Sequence, residues 1–201
     1  MQTPLRPLAA VAVLLLTTAC ATGPRTEPAH TGTLTTLSGL EFQTPVAWTT
    51  RTPSSSMRVA EFLVPAGAAE VPLVVYYFGP DSAGSLEANI ERWLGQIEPE
   101  GGQSARAVAS LDRVERNGLV VHHVDVAGTY VAETRPGSGE FLNQPNQRLL
   151  AAIVETDAGP YYAKVVGAQE AVARLEPSYR AFLGSMRAGA LDATQAGELH
   201  P

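Results

Sequence analysis

Cysteine is almost absent from this 201-residue chain: one occurs, at position 20. A lone cysteine excludes a disulfide framework and any multi-thiolate metal site, so stability must come from a buried apolar core. The length suffices for one such domain. Lysine is equally scarce, with Lys164 standing alone among arginines. The formal net charge is −6 and no basic stripe occurs, which argues against a nucleic-acid partner. Motifs of catalysis and cofactor binding are missing as well. Gly137-Ser138-Gly139 has neither the third glycine nor the following helix of a dinucleotide fingerprint, and there is no Walker loop. In Gly79-Pro80-Asp81-Ser82-Ala83-Gly84 the serine is one residue out of register for a nucleophile elbow. Carboxylates are scattered singly, and no His-x-x-x-His or Cys-x-x-Cys spacing occurs. No catalytic residue, metal ligand or cofactor is therefore nominated, and the chain is expected not to be an enzyme.

The amino terminus carries an address. Arg6 supplies a short positive segment, and residues 8–16 are an apolar run too short for a comfortable membrane span. Small residues then lead to Cys20. The stretch Leu16-Thr17-Thr18-Ala19-Cys20 resembles the lipobox of a bacterial lipoprotein signal peptide, with Thr17 where leucine is common. The resemblance implies cleavage before Cys20, acyl chains such as palmitate on that residue, and a stable anchor, since several chains hold where one is marginal. Cleavage would remove Arg6 and no acid, taking the charge from −6 to −7. Ala21, rather than aspartate, implies the outer membrane if the cell is Gram-negative. The alternative is an ordinary secretory signal with an incidental cysteine. Residues 21–36 are small, polar and proline-bearing, and read as a tether able to extend about 50 Å from the membrane.

The domain is organised around residues 71–97. Leu73, Val74, Val75, Tyr76, Tyr77 and Phe78 form an unbroken apolar run that suits a strand covered on both faces. Gly79-Pro80 ends it, and Ser85 can cap a following helix. At about 100° per residue, Leu86, Ile90, Trp93, Leu94 and Ile97 share one arc. Glu87, Glu91 and Glu98 flank it on one side, and Asn89, Arg92 and Gln96 form a stripe on the other, beside Trp93. Arg92 suits an anion and the two amides suit hydrogen bonding, so the stripe is a candidate recognition surface. The competing reading is that it ties the helix to a neighbouring loop.

Around this unit, residues 40–43 read as a short edge strand, Trp48 as a core plug, and residues 57–64 as a strand with Arg58 and Glu61 exposed, paired with the central run. Residues 105–114 read as a strand. Asn117-Gly118 marks a hairpin returning through residues 119–130. His122 and His123 point to opposite faces of that strand and cannot share a metal. Residues 132–147 read as a long open loop with apolar Phe141 and Leu142 at its middle, which latch onto the body or face a partner. Residues 149–156 and 161–166 form a second hairpin. On it, Lys164 is either a ligand-facing cation or a side chain snorkelling at a sheet edge. A closing helix carries Val172, Leu175, Tyr179, Phe182, Leu183 and Met186, with Pro177 expected to kink or restart it. Residues 188–201 read as a frayed tail.

This order of elements makes an α+β domain over residues 37–187, a single antiparallel β-sheet with helices packed on it. It resembles the fold group of PsbP, Mog1 and DcrB-like proteins, in Phe78-Gly79, the Asn89-x-x-Arg92-Trp93-x-x-Gln96 helix, Gly128-Thr129-Tyr130 and Tyr161-Tyr162-Ala163-Lys164. The resemblance implies an accessory or binding role rather than catalysis, and no family catalytic residue carries over. The leading expectation is an envelope lipoprotein, held to the membrane through lipid on Cys20. It presents Asn89, Arg92, Trp93, Gln96, Tyr130 and Lys164 to an envelope protein or small ligand. An enzyme with its site under residues 132–147, or a purely structural envelope component, are the alternatives. Cys20→Ser should abolish incorporation of labelled palmitate and move the protein from the membrane to the soluble fraction; unchanged labelling would remove Cys20 as the acylated residue.

Overall fold

A computed structural model describes residues 32–80, 84–135 and 137–191. The signal segment, Cys20 and the first part of the expected tether lie outside the described residues, as do residues 81–83 and those after 191.

The polypeptide forms two antiparallel sheets rather than the single sheet expected from the pattern. The smaller is built from β1 (Gly32–Leu37), β2 (Leu40–Pro45) and β11 (Arg187–Ala188), with β2 in the middle. Residues 32–36 thus belong to a strand, not to the tether. No β1 side chain is buried, so its pairing rests on the backbone and leaves no apolar period to read. The β2 strand is no edge: Leu40 and Phe42 are fully buried, and β1 and β11 flank it. The start of the expected frayed tail is held by the same sheet, where Gly39 N–H donates to Ala190 O at 2.8 Å.

The larger sheet has eight strands. Its path runs β3 (Thr49–Arg51), β4 (Arg58–Ala66), β5 (Ala69–Tyr77), β10 (Tyr161–Ala168), β9 (Gln144–Glu155), β8 (Leu119–Tyr130) and β6 (Ile97–Glu98). The eighth, β7 (Ser110–Arg116), also pairs with β8, at the end away from β6. Residues 105–108, expected to begin that strand, form the short helix α2 (Ala105–Val108), capped by Ser104 Oγ on the Ala107 amide. Close approach of β6 to β8 requires Gly128, since a Cβ there would lie 2.3 Å from the Glu98 carbonyl oxygen.

Interior strands send alternate side chains into two separate cores. On one face Leu73, Val75, Ala163 and Val165 meet helix α3 (Gln169–Gly184), which lies between the two sheets. Phe182 is the centre of that core. Its ring is 5.0 Å from both Phe42 and Trp48 and 5.9 Å from Phe62, and Trp48 Nε1 donates to Ser178 Oγ at 2.7 Å. The helix continues through Pro177 instead of restarting, because its buried face on both sides of the proline is held by packing. On the other face, helix α1 (Leu86–Leu94) covers β8, β9 and the start of β10 with Ile90, Trp93 and Leu94. The central apolar run therefore lies inside the sheet, and the Trp93 indole points inward, at 4% exposure.

Two further expectations are corrected. Glu61 is only 8% exposed; its carboxylate takes the Ser54 amide and hydroxyl and the Arg58 guanidinium. Burial works against its charge, but these donors outweigh it and hold the carboxyl below the usual range. Residues 132–135 and 137–143 bond to one another across a hairpin tip rather than forming an open loop. Leu142 N–H donates to Ala132 O, Thr134 N–H to Glu140 O, and Glu133 takes the amides of Gly137 and Gly139. Phe141 is 65% exposed and does not latch the tip to the body.

Phe182→Ala should cost about 3–5 kcal/mol, since three aromatic neighbours lose their common contact. Urea unfolding measures it; a loss under about 1 kcal/mol would mean that this cluster repacks readily.

Candidate functional site

The site grows from the amino end of α1. Ser85 caps the helix, its Oγ accepting from the Ala88 amide at 3.2 Å. Asn89 donates from Nδ2 to Ser85 O at 2.9 Å and accepts from Arg92 Nη2 at 2.6 Å. The chain leaves the helix at Gly95, two residues earlier than the apolar arc suggested, and Ile97 enters β6. Gln96 therefore lies in the connecting turn, where its carbonyl accepts from Val131 N at 2.9 Å and its side chain reaches over the sheet.

Below it is Lys164, in the middle of β10. Alternation places Tyr162, Lys164 and Val166 on the α1 side, and the register sets Lys164 between Val74 of β5 and Ala151 of β9. It is not at a sheet edge, so edge snorkelling does not describe it. The Lys164 ammonium donates to Gln96 Oε1 and stands 5.7 Å from the centre of the Tyr130 ring. Tyr130 arrives from the end of β8, past a register shift after Gly128, where it pairs with Ile97. Four of the six proposed recognition residues, Arg92, Gln96, Tyr130 and Lys164, thus converge from three segments far apart in sequence.

The other two play structural parts. Asn89 is 1% exposed and links Arg92 to the helix cap. Trp93 is a core residue, edge-on to Tyr162 at 6.1 Å and 81°. Both of these Asn89 bonds lie within α1 and its cap. Sequence reasoning missed Tyr76. It sits opposite Tyr162 and Arg58, on the same face as Lys164, with the Arg58 guanidinium 5.6 Å from its ring centre. Alternation alone would have put Tyr76 on the face of Val74, but nothing local shows that this face is Lys164's.

Electrostatics separate this patch from the rest of the surface. Burial, then the charge of Arg92, lowers the Lys164 amine to about 8. Burial raises the phenols of Tyr130 and Tyr76; Tyr76 adds to the rise at Tyr130, while Arg58 and Glu61 act on Tyr76 in opposite senses. Elsewhere half-buried cations have acids. Arg148 binds Asp125 through two hydrogen bonds and Glu176 through a third contact, tying β8, β9 and α3 together, and its guanidinium is raised accordingly. Lys164 and Arg92 have only neutral amide partners among the described residues.

The two histidines lie apart from this patch. His122 Nε2 meets Glu155 at 2.7 Å. His123 faces α3, held below its usual value by burial and by Arg180. Among the described residues no three His, Cys, Asp or Glu side chains gather as metal ligands, and no helix is long and apolar enough to cross a membrane.

No family model matches this chain. No curated protein matches it either. Among solved structures it is similar to the solution structure of cyanobacterial PsbP (CyanoP) from Synechocystis sp. PCC 6803. The match has 14% identity, covers 83% of this chain and 100% of that one, and has a TM-score of 0.48.

An unfolded lysine keeps its proton to its ordinary value of 10.5, whereas folded Lys164 releases it at about 8. Between these values the unfolded state binds more protons, so this residue's contribution to stability rises with pH across the window and is lost again as pH falls toward 8. Lys164→Met should accordingly unfold at an equal or higher temperature than the parent at pH 7, with the difference shrinking from pH 8 to 10.5. A lower midpoint at pH 7 would make Lys164 a scaffold residue.

Proposed function

We propose that this protein is a membrane-anchored binding or accessory lipoprotein of the bacterial cell envelope, held by lipid on Cys20. In a Gram-negative cell it would face the periplasm from the outer membrane. The anchor rests on the signal-like amino terminus and its lipobox pattern. The binding role rests on one observation: Arg92, Gln96, Tyr130 and Lys164, brought from α1, the turn after it, β8 and β10, form a half-buried polar patch. Scaffolds seldom retain a desolvated amine without a counter-charge, because it destabilises the fold; recognition surfaces do so where a partner supplies what is missing.

Asn89 and Trp93 support the patch from behind, the first by aligning Arg92 and the second by seating α1 on Tyr162. The exposed Arg92 side chain is the most direct probe, because among the described residues it hydrogen-bonds to the Asn89 amide oxygen and forms no ion pair. Detergent-solubilised full-length protein, immobilised and exposed to envelope extract, should retain a defined partner or ligand. Arg92→Ala should lose most of that retention while its unfolding free energy stays within about 0.5 kcal/mol of the parent. Equal retention by both proteins would remove this patch as the binding surface, and a large stability loss would assign Arg92 to the scaffold.

A further inference from the structure

Resting on that reading of the α1 edge as a binding surface, we infer that the patch recognises an oxyanion. A carboxylate or phosphoryl group would be held between the Lys164 ammonium and the Arg92 guanidinium, with the Tyr130 and Tyr76 rings at its side.

Several cations of this protein face acids. Arg58 has Glu61 at 2.9 Å, Arg148 has Asp125 at 2.6 Å and Glu176 at 2.8 Å, and Arg187 has Glu41 at 2.7 Å. Lys164 and Arg92 face the side-chain oxygens of Gln96 and Asn89 instead, and neither has an acid among the described residues. These two cations are also close enough that Arg92 disfavours the charge on Lys164. Like charges placed together without a counter-ion raise the free energy of the empty site. An oxyanion between them reverses that sign, and charge-assisted hydrogen bonds add to the gain.

Donor capacity is left for such a ligand. A lysine ammonium has three hydrogens, and Gln96 takes one. A guanidinium has five in a planar fork, and Asn89 takes one. The amide oxygens are neutral acceptors that orient both cations without cancelling their charge. The sheet beside Lys164 is apolar, with Val74 and Ala151 as its cross-strand neighbours, so an anion there would be partly screened from water. Among the described residues, Arg92 from α1 is the charged group that acts on Lys164, with the Tyr130 ring beside it. The carboxylate on the same face, Glu61, lies two strands away, across from Val74, and is already held by Ser54 and Arg58.

The single lysine makes the test clean. Full-length protein in non-ionic detergent, grown on lysine labelled with carbon-13 at Cε, gives one lysine resonance, whose shift reports the Lys164 proton. Titrations would be run in sodium chloride, sodium phosphate and sodium acetate at matched ionic strength. One or both oxyanions should saturate and raise the Lys164 pKa relative to chloride, the phosphate and acetate arms telling phosphoryl from carboxylate. Arg92→Ala should weaken that effect about tenfold, as expected for one lost charge-assisted contact. Arg92→Lys should recover part of it. The inference is overturned if both oxyanions act as chloride does, or if Arg92→Ala leaves their effect intact. Should the oxyanions fail while Arg92→Ala still abolishes retention from envelope extract, the ligand class is wrong and the binding surface stands. If both effects are absent, the binding reading falls as well.

Discussion

Burial of β5, β10 and β9 on both faces is the constraint from which the remaining structure follows. A strand with a core on each side has one freedom, its register, and a one-residue slip exchanges everything it sends to the two cores. Here such a slip of β10 would drive Lys164 toward α3, into the space of fully buried Val165. The hairpins prevent it. At the β9–β10 turn, Thr156 Oγ1 donates to Gly159 O and accepts from the Ala158 amide. Gly159 cannot carry a side chain, because a Cβ would lie 2.6 Å from the Pro80 Cα. Tyr77 and Tyr161 stack at 4.6 Å and send their hydroxyls to Ala158 O and Ser38 O, so the turn, the sheet and the small sheet's first hairpin lock together.

The two faces are covered unequally, and that inequality creates the patch. The long helix α3 and the small sheet close one face with fully buried aromatics. The nine-residue α1 covers only the β8 to β10 side of the other. Where its cover ends, side chains from β5, β8 and β10 are left half-buried. Polar groups can reach both water and a low-dielectric floor there, the setting in which amine and phenol protonation shifts most readily. Elsewhere the half-buried arginines Arg58 and Arg148 are paired with acids. Glu61 is wrapped by Ser54 and Arg58, and Arg148 by two acids. The exposed margin strand β7 alternates charge along Asp112, Arg113 and Glu115, which discourages edge pairing with another chain. Against that practice, a lysine and an arginine facing only amides stand out as a local departure from scaffold chemistry.

Much of this was legible in one dimension. The strand from residue 73, the inward Trp93, the strand Leu119–Tyr130 with its two histidines on opposite faces, and the core stripe of α3 follow from periods of two and 3.6, which are properties of neighbouring residues. The polar stripe of α1 could be drawn on a wheel, and Lys164 was conspicuous as the only one of its kind. The failures share a cause. β1 and β11 have almost no buried side chains, so their pairing with β2 left no imprint on hydrophobicity. Glu61 reads as exposed by type, yet three donors from Ser54 and Arg58 bury it. α2 replaced a strand start because a serine cap and alanines outweighed a weak apolar pattern.

By itself, then, the order of residues determined the interior strands and the two long helices, and which side each presents to a core. Tertiary structure alone decided that there are two sheets, that Asn89 is buried while Arg92 is exposed, and that Gln96, Tyr130 and Lys164 meet. The physical reason is range. Periodicity and capping act over a few residues, whereas strand order, register and the meeting of side chains 68 positions apart are set by backbone pairing and packing between distant segments, which no local pattern encodes.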